Sequence, residues 1–82
     1  MIVEGLHAGD VTVRENSTVA RNAMIGGDLI VAEGVTCRLE GMVSGDLRIG
    51  RGATVTNRGM VSGAVHNDGG TLSGTGMTGG TR

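Results

Sequence analysis

The sequence predicts an all-β protein: a single short triangular parallel β-helix with 18 residues per coil, built from three six-residue strands and forming about four coils. Three observations lead to this prediction. A Gly-Asp pair recurs every 18 residues, apolar residues recur every six residues, and the composition combines 17 glycines with no aromatic residue and no proline. Repeats of fixed period are typical of solenoids, whose stacked units bury one continuous core.

The longer period is carried by the pairs Gly9-Asp10, Gly27-Asp28 and Gly45-Asp46, and the next step, Gly63-Ala64, keeps only the glycine. An aliphatic residue follows each pair. We interpret the aspartates as corner-capping residues, because an Asp side chain can accept backbone N–H bonds in a turn. A cation held by the stacked aspartates is the alternative, although hard cations require six or more oxygen ligands.

The shorter period starts at Val13, and eight of its nine members are β-branched. Alternate residues of a strand share a face, so each unit is expected to be a short strand whose inward residues are this member and the residue two before it. The expected inward columns are Val13, Val31 and Ile49; Val19, Cys37 and Val55; and Ile25, Val43 and Val61. The series ends at Asn67.

Two competing folds explain less. Six is not a multiple of the helical period of about 3.6, and each glycine inside a helix costs about 1 kcal/mol. A flat antiparallel meander accommodates the glycines but does not explain the strict recurrence of residue types. Stacked coils would instead place equivalent residues about 4.8 Å apart.

The residue between two inward positions is expected to face outward, which gives one candidate interface and one secondary candidate face. The candidate interface is the apolar column Leu6, Met24, Met42 and Met60. The secondary candidate face is Thr18, Thr36 and Thr54, a solvated β surface or a template for a repetitive partner. Soluble monomers rarely expose contiguous apolar surface and Met suits adaptable contacts, so we expect a homo-oligomer or another protein partner at the first. Cover by a terminal segment is the alternative.

Composition bears on chemistry and location. We expect no catalytic, cofactor-binding or metal site: Cys37 reads as a small buried hydrophobe, and His7 and His66 as surface or corner residues without a positioned partner. The formal net charge of −1 gives no basic surface for nucleic acid, and no apolar run is long enough for membrane insertion. A lone cysteine and no secretory signal indicate the cytoplasm. We divide the chain into a β-helix at 1–66, including an N-terminal partial coil, and a Gly/Thr-rich fraying last coil with a flexible tail at 67–82.

Residues 43–63, VSGDLRIGRGATVTNRGMVSG, resemble the coil repeat of bactofilins, the polymer-forming bacterial β-helix scaffolds, through V-x-G-D-[IVL] and I-G-x-G-A-x-V segments. The resemblance implies a right-handed solenoid and a cytoskeletal scaffold. The six-residue unit is also similar to left-handed hexapeptide-repeat acyltransferases, at Ile25-Gly26 and Ile49-Gly50. We therefore expect a non-catalytic assembly module that self-associates through the Met face, the open ends, or both. A small inhibitor-like or immunity-type module that occludes a partner protein is the alternative, and an acyltransferase relative is a remote one.

Overall fold

A computed structural model describes residues 2–81, and every regular element in that range is a β-strand. In chain order the strands are β1 (Ile2–Val3), β2 (Leu6–His7), β3 (Val11–Val13), β4 (Ser17–Val19), β5 (Met24–Ile25), β6 (Leu29–Val31), β7 (Thr36–Leu39), β8 (Met42–Val43), β9 (Leu47–Ile49), β10 (Thr54–Asn57), β11 (Met60–Asn67), β12 (Thr71–Ser73) and β13 (Met77–Thr81).

The strands pair only with parallel neighbours one coil away, and they form three faces. Face A stacks β1, β4, β7, β10 and β12. Face B stacks β2, β5, β8 and the start of β11, and face C stacks β3, β6, β9 and the end of β11. The long strand β11 turns the corner between faces B and C, and β13 lies above it. The predicted short parallel β-helix of about four coils is confirmed.

The lumen is filled by aliphatic columns. On face C, Val13 pairs with Val31 and Val31 with Ile49, while on face B Ile25 pairs with Val43 and Val43 with Val61. These residues are at most 1% exposed, as expected for inward positions. Two of the three predicted inward columns are therefore confirmed, and burial of their branched side chains supplies most of the driving force for folding.

The third predicted column is wrong in one place. On face A, Val19 pairs with Leu39, while Cys37 lies over Ser17 and under Val55. Leu39 is fully buried, although the six-residue series does not include it. At β4, face A therefore departs from the six-residue period, whereas faces B and C follow it.

The cause is a tight turn that changes corner. In the coil that contains β4, the turn follows face A, where the Ala23 N–H donates to the Ala20 carbonyl at 2.9 Å. In the next two coils the turn precedes face A, where the N–H groups of Val35 and Ala53 close it. The later turns place Gly34 and Gly52 at φ of 71° and 72°, a conformation that favours glycine. The length of the coil is unchanged, but the strand between the two corners shifts by two residues, so that Ser17 pairs with Cys37, 20 residues later.

The last coil lies within the segment 67–82. β12 pairs with β10 and β13 pairs with β11, so the sheets continue past residue 66. The aliphatic filling does not continue with them, since Thr78 lies over Val61 and Leu72 is only half-buried over Val55. The flexibility predicted for this tail stays a prediction.

Candidate functional site

The outward surface of face B carries one continuous apolar column, which we call the methionine column: Leu6, Met24, Met42, Met60 and Met77. Each member is the direct register partner of the next. The inner members Met24, Met42 and Met60 are 44%, 36% and 39% exposed, and the terminal members Leu6 and Met77 are 76% and 65% exposed. The four residues of the predicted candidate interface are therefore stacked as expected, and Met77 extends them by one coil.

Strand alternation explains why these side chains face outward. The three inner methionines each precede a buried residue of the same strand, such as Ile25 after Met24 or Val43 after Met42, and consecutive residues point to opposite faces. In the described part of the chain, every exposed large apolar side chain except Ile2 belongs to the methionine column. Its apolar exposure is thus concentrated on one face, unlike the scattered exposed residues that are normal on soluble proteins.

Sequence reasoning missed Met77 because it lies in the Gly/Thr-rich tail, one position short of the 18-residue step from Met60. The signal was present, since a fifth apolar residue follows the column at nearly the same spacing. The shortened step arises in the turn before β12, because Asn67 still pairs with Ile49 at an 18-residue step, whereas Thr71 pairs with Thr54 at a step of 17.

The secondary candidate face is only partly assembled. Thr36 pairs with Thr54, but Thr18 pairs with Arg38 in the neighbouring column, because β4 is shifted on face A. The predicted stack of Thr18, Thr36 and Thr54 is therefore wrong at Thr18. A groove crosses this part of face A, and the Arg38 side chain beside it lies 3.6 Å from the Glu40 carboxylate.

The aspartates of the Gly-Asp pairs form a hydrogen-bonded ladder at the corner before face C. One carboxylate oxygen of Asp10 accepts the backbone N–H of Asp28, Asp28 accepts that of Asp46, and Asp46 accepts that of Ala64, at 2.8, 2.8 and 2.9 Å. The predicted capping role is supported, but the bonds join successive coils rather than closing each residue's own turn. The ladder ends at Ala64, which has no carboxylate to offer the coil above.

The glycines of the same pairs make room for this ladder. A Cβ added at Gly27, Gly45 or Gly63 would overlap the carboxylate of the aspartate one coil below. Gly9, in the first coil, has no neighbour within 4 Å of such a Cβ. In each recurring pair, the aspartate thus supplies a hydrogen-bond acceptor for the next coil, and the glycine leaves space for the carboxylate from the coil below.

The second carboxylate oxygen of two ladder aspartates meets a basic side chain. His66 Nε2 lies 2.9 Å from Asp46, and Arg48 Nε lies 3.9 Å from Asp28. The side-chain bond from His66, with the Ala64 N–H bond, lowers the pKa of Asp46 below its ordinary value. His66, predicted as a surface or corner residue without a positioned partner, is therefore a partner of the ladder. Within residues 2–81, no group of three His, Cys, Asp or Glu side chains could hold a metal ion.

The remaining chemically reactive side chains lie in structural positions. Cys37 is fully buried, and burial raises the pKa of its thiol to about 11, which keeps it protonated and unreactive. His7 pairs with Ile25 at the open end of an inward column and donates from Nε2 to the Glu4 carbonyl at 2.9 Å.

No family model matches the chain, and neither curated proteins nor solved structures give a match. The structure supports the coarser part of the sequence resemblance, a β-helix repeat protein. Over the described residues, 2–81, there is no helix with the length and apolar character needed to cross a bilayer.

Proposed function

We propose that this protein is a non-catalytic assembly module that acts as a bactofilin-like scaffold. Its copies associate side by side through the methionine column. The observation that carries the proposal is the unbroken apolar column along face B, from Leu6 to Met77. Contiguous exposed apolar surface of this kind marks interaction sites in soluble proteins.

A second copy is a fitting partner because the column is nearly symmetric about its centre. Met42 is the middle member, with two members on either side. A two-fold axis through Met42 would place Met24 of one copy against Met60 of the other, an isologous contact that closes as a dimer. The unbranched thioether side chains can adjust to one another across such a contact.

The residues beside the column favour close approach. Ser44 and Ser62 follow the two inward residues Val43 and Val61 on the strands of Met42 and Met60, and the residues before these methionines are Gly41 and Gly59. Each of these two thioethers therefore has only small or inward-facing residues next to it along the chain.

Side-by-side contact is better supported than contact through the open ends. Within each copy the Asp ladder joins coil to coil, but Ala64 stands where the fourth acceptor would be. Gly80 of β13 lies over Ala64, so this corner of the last coil offers a second copy no carboxylate for its Asp10 N–H. End contacts would rely on β12 and β13, whose coil is poor in aliphatic filling.

Sedimentation velocity over a wide concentration range tests the proposal. We expect the wild-type protein to form dimers or larger species, Met42→Asp to be monomeric, and Thr54→Asp, a matched outward substitution on face A, to associate like wild type. Circular dichroism of the wild type and both variants confirms that the fold is retained. A wild type that stays monomeric at every concentration contradicts the proposal. Association lost in Thr54→Asp but kept in Met42→Asp would assign the contact to face A.

A further inference from the structure

In the described chain, the thioether sulfurs lie on the outer surface and the thiol sulfur lies inside. Met24, Met42, Met60 and Met77 all lie on the outward column of face B, and the buried inward positions hold mainly Val, Ile, Leu and Ala, with the polar Ser17 and Asn57 and one thiol, Cys37. The thiol is buried and protonated. Every thioether within residues 2–81 is therefore accessible, and each is the register partner of another.

Space alone does not require methionine at these positions. The first member of the same column is Leu6, so an aliphatic side chain is accommodated on this surface. The shared property of the next four members is the thioether group itself. Sulfur is a soft, polarizable ligand, and it distinguishes these residues from the aliphatic side chains that fill the lumen.

The spacing of the coils suits a metal ion held between successive thioethers. Neighbouring strands lie about 4.8 Å apart, and a sulfur ligand lies about 2.3 Å from a bound first-row metal ion, so two sulfurs on opposite sides of one ion are separated by nearly the coil spacing. Met24 and Met60 lie one coil on either side of Met42, so each is placed to share an ion with it. Thioether ligands select soft monovalent ions such as Cu(I).

We infer that Met24, Met42 and Met60 form a binding site for a soft monovalent metal ion, Cu(I) or its analogue Ag(I). Met77 extends the same row of ligands by one coil. The site carries no charged ligand, and no His, Cys, Asp and Glu cluster within the described range competes for the ion. The inference does not depend on self-association, because one chain supplies all the ligands.

Titration with Ag(I), and with Cu(I) under anaerobic reducing conditions against a chromogenic Cu(I) chelator, tests the inference. The variants are the triple substitution Met24→Leu/Met42→Leu/Met60→Leu and the control Cys37→Val. Leucine keeps the column apolar, as Leu6 shows, so the triple variant removes the sulfur ligands without adding a charge or a polar group. We expect wild type and Cys37→Val to bind the ion with a shift of the methionine methyl NMR signals, and the triple variant to lose both binding and shift.

Three results would overturn the inference: no binding by wild type, equal binding by the triple variant, or loss of binding in Cys37→Val. The last result would assign the ion to the thiol. Zn²⁺ serves as the borderline-ion control and should leave the methyl signals unchanged. A triple variant that still associates in sedimentation but no longer binds the ion would support both proposals separately. A triple variant that binds the ion but no longer associates would contradict the metal site alone.

Discussion

The carboxylate of Asp28 accepts the backbone N–H of Asp46, 18 residues later, at 2.8 Å, and Gly45 leaves the space in which that carboxylate lies. The same relationship recurs from Asp10 to Asp28 and from Asp46 to Ala64. In this way a two-residue motif fixes one coil on the next. It also offsets the repulsion expected between like charges stacked in neighbouring strands, because each carboxylate is bonded to a donor.

Alanine at Gly45 should destabilise the fold, while alanine at Gly9 should not. A Cβ at Gly45 would lie 2.6 Å from the Gly27 carbonyl oxygen and would overlap the Asp28 carboxylate. Overpacking of this kind costs about 1–3 kcal/mol. Gly9 has open space at the equivalent position, so its substitution should change the free energy of unfolding by less than about 0.5 kcal/mol. Urea unfolding followed by circular dichroism measures both, and equal losses would contradict the account.

Removal of the Asp28 acceptor should cost more than removal of its charge. Asp28→Ala leaves the Asp46 N–H without its partner, a loss of about 1–3 kcal/mol in the free energy of unfolding. Asp28→Asn keeps an oxygen acceptor in place and loses only the charged character of the bond and the nearby Arg48. The same unfolding experiment should therefore rank wild type above Asn and Asn above Ala. If the Asn variant were no more stable than the Ala variant, loss of the ladder bond would not be the cause of the destabilisation.

Acid should weaken the fold partly through Asp46. Its pKa is lowered in the folded state by the His66 side chain and the Ala64 N–H, so its stabilising contribution is complete above the ordinary Asp pKa of about 3.9 and is lost as the pH falls through the lower folded value. Asp46→Asn should flatten the fall in the urea midpoint below about pH 4. Asp68→Asn removes an exposed carboxylate and serves as the control. Identical acid profiles for wild type and Asp46→Asn would contradict the prediction.

The shifted register of face A can be tested by engineered disulfides in a Cys37→Val background. Register partners on neighbouring strands lie about 4.8 Å apart, within the range of about 4.4–6.8 Å that a disulfide spans between Cα atoms. Thr18→Cys/Arg38→Cys should therefore crosslink on mild oxidation. Thr18→Cys/Thr36→Cys should not, because Thr36 lies two residues before Arg38 on the strand. Mass spectrometry without reduction distinguishes the two pairs. A crosslink in Thr18→Cys/Thr36→Cys alone would mean that face A follows the strict 18-residue period after all.

The fold could be predicted well from the sequence because every coil of the solenoid requires the same residue types at equivalent positions. Val31 and Val43 have the same inward surroundings as their partners above and below, so a short period was enough to place them. The pairing of Val19 with Leu39 could not be predicted that way. A turn that moves from one corner to another leaves the coil length unchanged. Only the local turn residues, such as Gly34, indicate that the turn has moved.

The candidate site followed the same pattern. The column from Leu6 to Met60 was predicted because it lies on face B, where the period holds. Met77 was missed because the last coil is shorter by one residue. The Asp46–His66 pair was missed because it joins two different outward columns, and no single-column period brings them together.

The methyl signals of the methionines test the central claim, that copies meet through the methionine column, most directly. A soluble paramagnetic probe attenuates the NMR signals of exposed methyl groups. As the protein concentration is raised, the account predicts that the Met24, Met42 and Met60 methyls become protected while the Thr36 and Thr54 methyls on face A stay exposed. Methionine methyls that remain equally exposed at all concentrations, or protection confined to the threonines, would contradict it.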